Sequence, residues 1–128
     1  MRTFKTKAFT RFVGKAGISE AMLCRVVRDA ERGLVAADLG GGLIKRRIAR
    51  QGQGKSGGFR TLIVFRAGRR AIFVHGFAKN ERDNIEKDEL AALKKLAAEL
   101  LAYDDKALSR VVSSGVLLEV NCDEKTIS

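Results

Sequence analysis

The stretch from Leu43 to Ala78, LIKRRIARQGQGKSGGFRTLIVFRAGRRAIFVHGFA, decides the fold class of this chain. Its first residues alternate, with Ile44 and Ile48 on one face and Lys45 and Arg47 on the other, which is typical of a β-strand. The segment FRTLIVFR is rich in β-branched and aromatic residues and predicts a buried central strand. AGRR predicts a hairpin turn and AIFVHGFA the returning strand. The stretch therefore predicts a meander of three antiparallel strands.

Helical periodicity precedes this meander. The first helix is indicated by apolar residues at i, i+3, i+4 and i+7: Phe9, Phe12, Val13 and Ala16. We expect Gly17 to end this helix and Ser19 to cap the start of a second one. The apolar stripe of the second helix consists of Leu23, Val26, Val27, Ala30 and Leu34.

The helical period returns after the meander. From Asn84 onward the apolar stripe consists of Leu90, Leu93, Ala97, Leu100 and Leu101. DDKALSRVVSSG predicts a further short helix with Gly115 beyond its end, and VLLEV predicts an edge strand. We expect a single α+β domain over residues 1–128, with two N-terminal helices, an antiparallel sheet meander and a C-terminal helix.

The basic residues are concentrated in the middle of the chain. The net charge is +10, and residues 39–80 contain ten lysines and arginines but no aspartate or glutamate. A surface that only maintains solubility mixes both signs, whereas a block without acids is typical of a protein that binds a polyanion. The alternative is a solvated basic face without a ligand.

The rare residues exclude several kinds of site. Cys24 and Cys122 form no close pair in the sequence, which argues against a disulfide scaffold or a zinc module and suits a reducing cytoplasm. We expect Cys24 to be a small buried residue and not a nucleophile. One histidine, His75, is too few for a histidine-based metal site. The chain lacks both an apolar signal-peptide run and a membrane-spanning run, so we expect a cytoplasmic protein that contacts no membrane.

The segment from Ala49 to Ser56, ARQGQGKS, fits a relaxed P-loop pattern. A P-loop lies between a strand and a helix, and the N-terminus of that helix binds the phosphates. Here a strand is predicted after Ser56, and the next acid after Asp38 is Glu81, so no nearby strand supplies a carboxylate for magnesium. We interpret the segment as a hairpin connection whose glycines allow close approach of a partner to Lys55. The alternative is an ordinary turn with a solvated lysine.

Three segments together carry a family resemblance. GLIKRRIARQGQGKSGGFRTLIVFR, FVHGFAKNERDNI and the following leucine-rich helix resemble the RelE/HigB-like toxins of bacterial type II toxin–antitoxin systems, in the RelE/ParE superfamily. The matching motifs run from Leu39 to Leu101, and the two leading helices fit the same pattern. The resemblance implies a small RelE-like α+β domain whose basic concave sheet face cleaves mRNA, usually in the ribosomal A site, without a cofactor. It also implies a cognate antitoxin, in this branch commonly a helix-turn-helix protein.

The functional positions of that family match this chain in part. The resemblance assigns catalytic roles to Arg60, Lys79 and Lys55. The bases expected to bind RNA are Lys45, Arg47, Arg50 and Arg82.

Two departures separate this chain from the best-known ribosome-dependent member of the family. That member has an arginine where this chain has Asn80, and it has a tyrosine near the position of Glu86. The only tyrosine here is Tyr103, which we expect to pack late in a helix. The resemblance therefore does not assign the complete catalytic set of that member to this chain.

Metal-independent cleavage would use the RNA's own 2′-hydroxyl to attack the neighbouring phosphate. The protein must align that attack, stabilise the added negative charge and help to move two protons. Arg60 is the candidate for charge stabilisation because a guanidinium can bind two phosphate oxygens at once. Lys79 would help at the leaving group.

The general base is left open by the sequence. His75 has suitable chemistry, but it alternates with Phe73 and Phe77 and is predicted to pack with them on one strand face. A lysine with a lowered pKa among like charges, Glu81 and Glu89 are the other candidates.

Two other functions compete with an mRNA endonuclease. A ParE-like toxin would poison DNA gyrase without cutting RNA, and a non-catalytic module would only bind RNA or the ribosome. The basic strands and the match at Arg60 favour the nuclease. A stacking platform for RNA bases is not evident, because Phe59, Phe65, Phe73 and Phe77 are all predicted to lie in the core.

Overall fold

The described part of the chain contains four helices and six strands. The computed structural model describes residues 1–50, 54–79 and 84–122, with only the backbone of Arg50 and residues 54–57. The elements in chain order are β1 (Arg2–Thr6), α1 (Lys7–Ala16), α2 (Glu20–Glu31), β2 (Ala37–Gly40), β3 (Leu43–Arg50), β4 (Gly54–Arg66), β5 (Arg70–Ala78), α3 (Lys87–Ala102), α4 (Asp105–Ser113) and β6 (Leu117–Val120). The predicted α+β fold class is confirmed.

All six strands form one sheet, in the order β2-β3-β4-β5-β1-β6. The central three strands are the predicted antiparallel meander, and β6 is the predicted edge strand. The sequence did not predict β1, which pairs parallel with β5, or β2, which covers the other edge of the meander. The meander therefore becomes the middle of a larger, mostly antiparallel sheet.

Helices cover both faces of this sheet. Helices α1 and α2 pack on one face, where the buried strand residues include Ile44, Ile48, Phe59, Ile63 and Phe73. Helices α3 and α4 pack on the other face. The buried strand residues on that face include Phe4, Leu43, Leu62, Val64, Ile72 and Phe77. The alternation along each strand produces these two cores, because successive side chains point to opposite faces.

Helix ends follow the predicted signals with one exception. The Ser19 hydroxyl accepts a hydrogen bond from the Met22 amide at 3.2 Å, and Gly17 ends α1 with a φ of 72°. Leu34 was expected on the stripe of α2, and this is wrong. The helix ends at Glu31, Gly33 adopts a φ of 81°, and Leu34 is 53% exposed.

A bulge in β5 changes the predicted face of one aromatic residue. Leu62 pairs with His75 but Ile63 pairs with Phe73, so Val74 is an extra residue on β5. Phe73 therefore packs with α1 and α2, while Phe77 packs in the α3 core, and the prediction that both share one face is wrong.

Gly76 lies on the α1 side of β5 and allows a close approach. A Cβ atom at this position would collide with the ring of Phe12 from α1. A glycine is thus required in the FVHGFA segment by packing, on the face opposite to Phe77.

The two cysteines are joined across the fold. The Sγ atoms of Cys24 and Cys122 lie 2.03 Å apart, although the residues are separated by 98 positions. The sequence pattern argued against a disulfide scaffold and did not predict this bond. Pairing of β6 with β1 brings Cys122 next to α2, and sequence spacing alone does not reveal that proximity. Cys24 is buried, as predicted.

Candidate nucleic-acid interface

Two rows of paired residues cross the middle of the sheet on the α3 side. In the first row Arg47 of β3 pairs with Arg60 of β4, which pairs with Phe77 of β5. In the second row Lys45 pairs with Leu62, which pairs with His75. Directly paired residues project to the same face. The sheet register therefore brings together three of the bases that the sequence indicated.

Arg60 occupies the centre of this surface. It lies on the central strand, is only 4% exposed, and donates from Nη1 to the Phe59 carbonyl at 3.4 Å. Its neighbour Arg47 is exposed and carries the same charge. Like charges directly opposite each other on paired strands are destabilising. An anion that binds both arginines would offset this repulsion, because each guanidinium can bind phosphate or carboxylate oxygens.

The first turn of α3 meets the same face. Nε2 of His75 lies 3.8 Å from Oε2 of Glu89, and its ring centroid lies 5.9 Å from that of Phe77. The other carboxylate oxygen of Glu89, Oε1, accepts a hydrogen bond from the Glu86 amide at 3.3 Å. The helix start thus holds a carboxylate beside the histidine.

Lys79 follows the last residue of β5. Its backbone amide donates to the Gly58 carbonyl at 3.0 Å, which continues the pairing of β4 with β5, and its side chain is partly buried. The lysine thus stands at the same end of the sheet as Arg60. The other predicted site residues, namely the side chains of Arg50 and Lys55 together with Glu81 and Arg82, lie outside the described part of the structure.

The basic block of the sequence does not form one continuous surface. Arg46 points to the opposite face, where its Nη2 lies 2.7 Å from Oδ2 of Asp29 on α2. Arg70 is buried and donates from Nη1 to the Leu100 carbonyl at 2.9 Å. Arg66 and Arg69 are exposed at the hairpin turn. The sheet therefore divides those bases of this block whose side chains the structure describes between two faces and two ends.

The proximity of His75 to Glu89 was not predicted. Both residues were considered separately as bases, but only the packing of α3 on the sheet brings them together. No local pattern signals this contact, since the two residues belong to different elements. Among the residues with described positions, no group of three or more His, Cys, Asp or Glu side chains could hold a metal ion.

The structure agrees with the sequence argument against a P-loop in this segment. A strand and not a helix follows the GKS segment, because β4 runs from Gly54 to Arg66 and pairs with β3. The hairpin interpretation of this connection is confirmed by the pairing of Arg50 with Gly54. Within the described ranges, no helix is long and apolar enough to cross a membrane.

Comparison with known families identifies the chain. The family model described as RelE toxin of the RelE/RelB toxin–antitoxin system matches residues 1–120. Comparison with curated protein sequences gives no match. The matched residues include all four described helices and all six strands. The chain therefore belongs to the RelE toxin family, whose members are toxins that have a cognate antitoxin.

Proposed function

We propose that this toxin is a metal-independent mRNA endonuclease that acts on the ribosome and thereby inhibits translation. The row formed by Arg47 and Arg60 is the observation that carries the proposal. The sheet register pairs these two arginines on neighbouring strands, on a face that also contains Lys45 and His75. This arrangement suits the phosphates of RNA, since phosphate contacts supply much of the affinity for nucleic acid.

The reaction is attack of the RNA 2′-oxygen on the adjacent phosphorus. The 2′-O–P bond forms as the P–O5′ bond breaks, which yields a 2′,3′-cyclic phosphate and a 5′-hydroxyl. Arg60 would stabilise the charge that develops on the phosphate oxygens, because its guanidinium is already fixed within the sheet. Lys79 would give a proton to the leaving 5′-oxygen.

The remaining bases would bind and orient the message. Lys45 and Arg47 lie on the same face as Arg60 and would bind the RNA backbone. Lys55 would orient the phosphate, and Arg50 and Arg82 would bind RNA. The roles of these last three residues rest on the family resemblance and the local charge. On this proposal the toxin works in the cytoplasm, in the ribosomal A site.

The cognate antitoxin would cover the same surface. An acidic segment of such a partner would associate rapidly with the basic face through electrostatic steering. We propose that this antitoxin is a helix-turn-helix protein, as is common in the branch that the motifs resemble.

A purified bacterial translation system tests this function. A defined mRNA is incubated with wild-type toxin or with Arg60→Ala, with and without ribosomes, and its 5′ ends are mapped. We expect cleavage only with ribosomes and wild-type toxin. Arg66→Ala, which removes an exposed arginine at the other end of the sheet, is the matched control and should cleave like the wild type.

Two results would contradict the proposal. An intact message under all conditions, with growth still arrested in cells, would exclude the nuclease, and loss of gyrase supercoiling activity would then support a ParE-like toxin. A protein that neither cleaves RNA nor arrests growth would support a binding module.

A further inference from the structure

We propose that His75 is the general base of this cleavage and that Glu89 positions it. The inference rests on the proposed function and assigns the proton acceptor that the reaction requires. It comes from the contact between β5 and the first turn of α3, which the family match does not assign.

His75 lies within reach of the phosphate that Arg60 would bind. Arg60 pairs with Phe77, and His75 is two residues away from Phe77 on the same strand and on the α3 side of the sheet. Diagonal neighbours of this kind lie roughly 7–8 Å apart, with their Cβ atoms somewhat closer, and long side chains with a bound phosphate can span that distance. The adjacent bulge at Val74 places two consecutive residues of β5 opposite Leu62, and bulges of this kind redirect side chains beside active sites.

Glu89 is held in a way that suits an orienting carboxylate. Its Oε1 accepts from the Glu86 amide at 3.3 Å, so the start of α3 fixes the carboxylate, while its Oε2 lies 3.8 Å from Nε2 of His75. A carboxylate beside Nε2 favours a proton on that nitrogen, so Nδ1 is the atom of His75 that would accept the proton of the 2′-hydroxyl. It also stabilises the imidazolium that forms when Nδ1 accepts a proton.

The proton balance of the step is complete. The 2′-hydroxyl proton moves to Nδ1 of His75 as the 2′-O–P bond forms, and Glu89 stabilises the resulting cation. The 5′-oxygen takes a proton from Lys79 as the P–O5′ bond breaks. His75 then returns its proton to water and Lys79 regains one, so the enzyme is restored without any oxidant, metal or co-reactant.

The charges around His75 are mixed. Glu89 faces His75 from α3. Arg60 of β4 and Lys45 of β3 lie on the same face of the sheet as His75. Lys79 directly follows the end of β5, the strand that contains His75. The side chain of His75 is 27% exposed, so solvent can reach it.

A packing role for His75 makes a different prediction. If its ring only fills space against Phe77, then replacing it alters stability and leaves the chemistry of the folded protein unchanged. The test therefore needs measurements that a loss of packing alone would not change.

Single-turnover cleavage on ribosomes programmed with a defined message provides these readouts. We expect His75→Gln to lower the cleavage rate at least roughly 100-fold, while the toxin concentration that gives half-maximal cleavage stays the same. The wild-type rate should rise with pH somewhere between about pH 5 and 8, and this rise should be lost in His75→Gln. Added imidazole should restore part of the rate to His75→Ala. Glu89→Gln should show a smaller loss, and Glu99→Gln, an exposed glutamate on the same helix, should show none.

The outcomes separate this inference from the proposed function. No cleavage by the wild-type toxin would overturn the function itself. Cleavage by the wild type and not by Arg60→Ala, together with an unchanged rate in His75→Gln, would overturn only the base assignment. If His75→Gln is slow but keeps the pH dependence of the wild type, and imidazole does not restore His75→Ala, the assignment is also wrong. Thermal melts of each variant establish that the assays compare folded proteins.

Discussion

The α3 side of the sheet carries two sets of arginines, here called the loop row and the turn row, and their surroundings differ. The loop row, Arg47 and Arg60, lies near the β3–β4 connection. The turn row, Arg66, Arg70 and Arg2, lies near the β4–β5 hairpin. Each row contains one buried arginine, since Arg60 is 4% and Arg70 is 5% exposed. Residue type and burial are thus nearly the same at the two ends.

The surroundings of the turn row stabilise the fold. Arg70 donates to the Leu100 carbonyl near the C-terminal end of α3, where the helix dipole favours a positive charge, and its Nη2 lies 4.0 Å from Asp105. Nε of Arg2 lies 3.1 Å from Oε2 of Glu119, and this hydrogen bond raises the pKa of Arg2. Two of the three charges in this row, those of Arg2 and Arg70, are therefore compensated by protein groups.

The surroundings of Arg47 in the loop row differ from those of the turn row. Arg47 is exposed, and among the side chains that the structure describes no carboxylate lies within 4.0 Å of it. Glu89, which meets the same face of the sheet from α3, lies beside His75. Burial alone therefore does not separate the two rows, and the proposed function assigns the binding of phosphate to the loop row only.

Breaking the disulfide is expected to give the largest change in stability that leaves the cleavage rate unaltered. The Cys24–Cys122 bond closes a loop of 98 residues on the face opposite to both rows, so reduction should lower the free energy of unfolding by about 2–4 kcal/mol. Urea unfolding with and without reductant measures this change, and the double variant Cys24→Ala/Cys122→Ala should no longer respond to reductant. The cleavage rate of the folded protein should not change. A rate that falls on reduction as far as it does in Arg60→Ala would contradict the separation of fold and site.

A smaller effect, on affinity alone, is expected at the exposed end of the loop row. Arg47→Ala should weaken binding to a single-stranded RNA whose 2′-hydroxyls are methylated. The slope of log K against log salt should become shallower by about 0.7 if one phosphate contact is lost. Fluorescence anisotropy over a salt series measures both quantities. Arg66→Ala is the matched control from the turn row, and an equal change in its slope would show that the two rows do not differ.

The smallest expected effect concerns the exposed pair of the turn row. Arg2 and Glu119 are 40% and 42% exposed, so a double-mutant cycle should give a coupling energy of only about 0.2–1 kcal/mol that falls with added salt. Because the pKa of Arg2 is raised, its contribution is present at neutral pH and is lost only as the pH rises through the pKa of the arginine. Chemical unfolding of the four proteins at two salt concentrations measures the coupling. A salt-independent value well above 1 kcal/mol would contradict this weak, screened role.

The sequence was sufficient for elements with a clear period. The alternation in β3 and the 3.6-residue stripes of α1 and α2 predicted those elements and their buried faces. Strand β1 could not be predicted in this way, because its five residues form a strand by pairing with β5, more than sixty positions later. Strand β2 has the sequence ADLG, which contains no β-branched residue.

The candidate site was predictable as a set of bases but not as an arrangement. Alternation placed Lys45 and Arg47 on one face, and the family motif indicated Arg60. Three further features depend on tertiary contacts that no local sequence pattern indicates. They are the hydrogen bond of buried Arg70 to the Leu100 carbonyl, the bulge at Val74 and the contact of Glu89 with His75.

The most direct test of this account measures two variants by two methods. Arg60→Ala and Arg70→Ala each remove one buried arginine from the same sheet face, and both ribosome-dependent cleavage and unfolding free energy are measured. We predict that Arg60→Ala lowers the cleavage rate of the folded protein roughly 100- to 1000-fold. We predict that Arg70→Ala loses about 1–3 kcal/mol of stability, because the Leu100 carbonyl loses its donor, while the folded protein cleaves at the wild-type rate. The opposite pattern, or the same pattern in both variants, would contradict the assignment of the loop row to the reaction and the turn row to the fold.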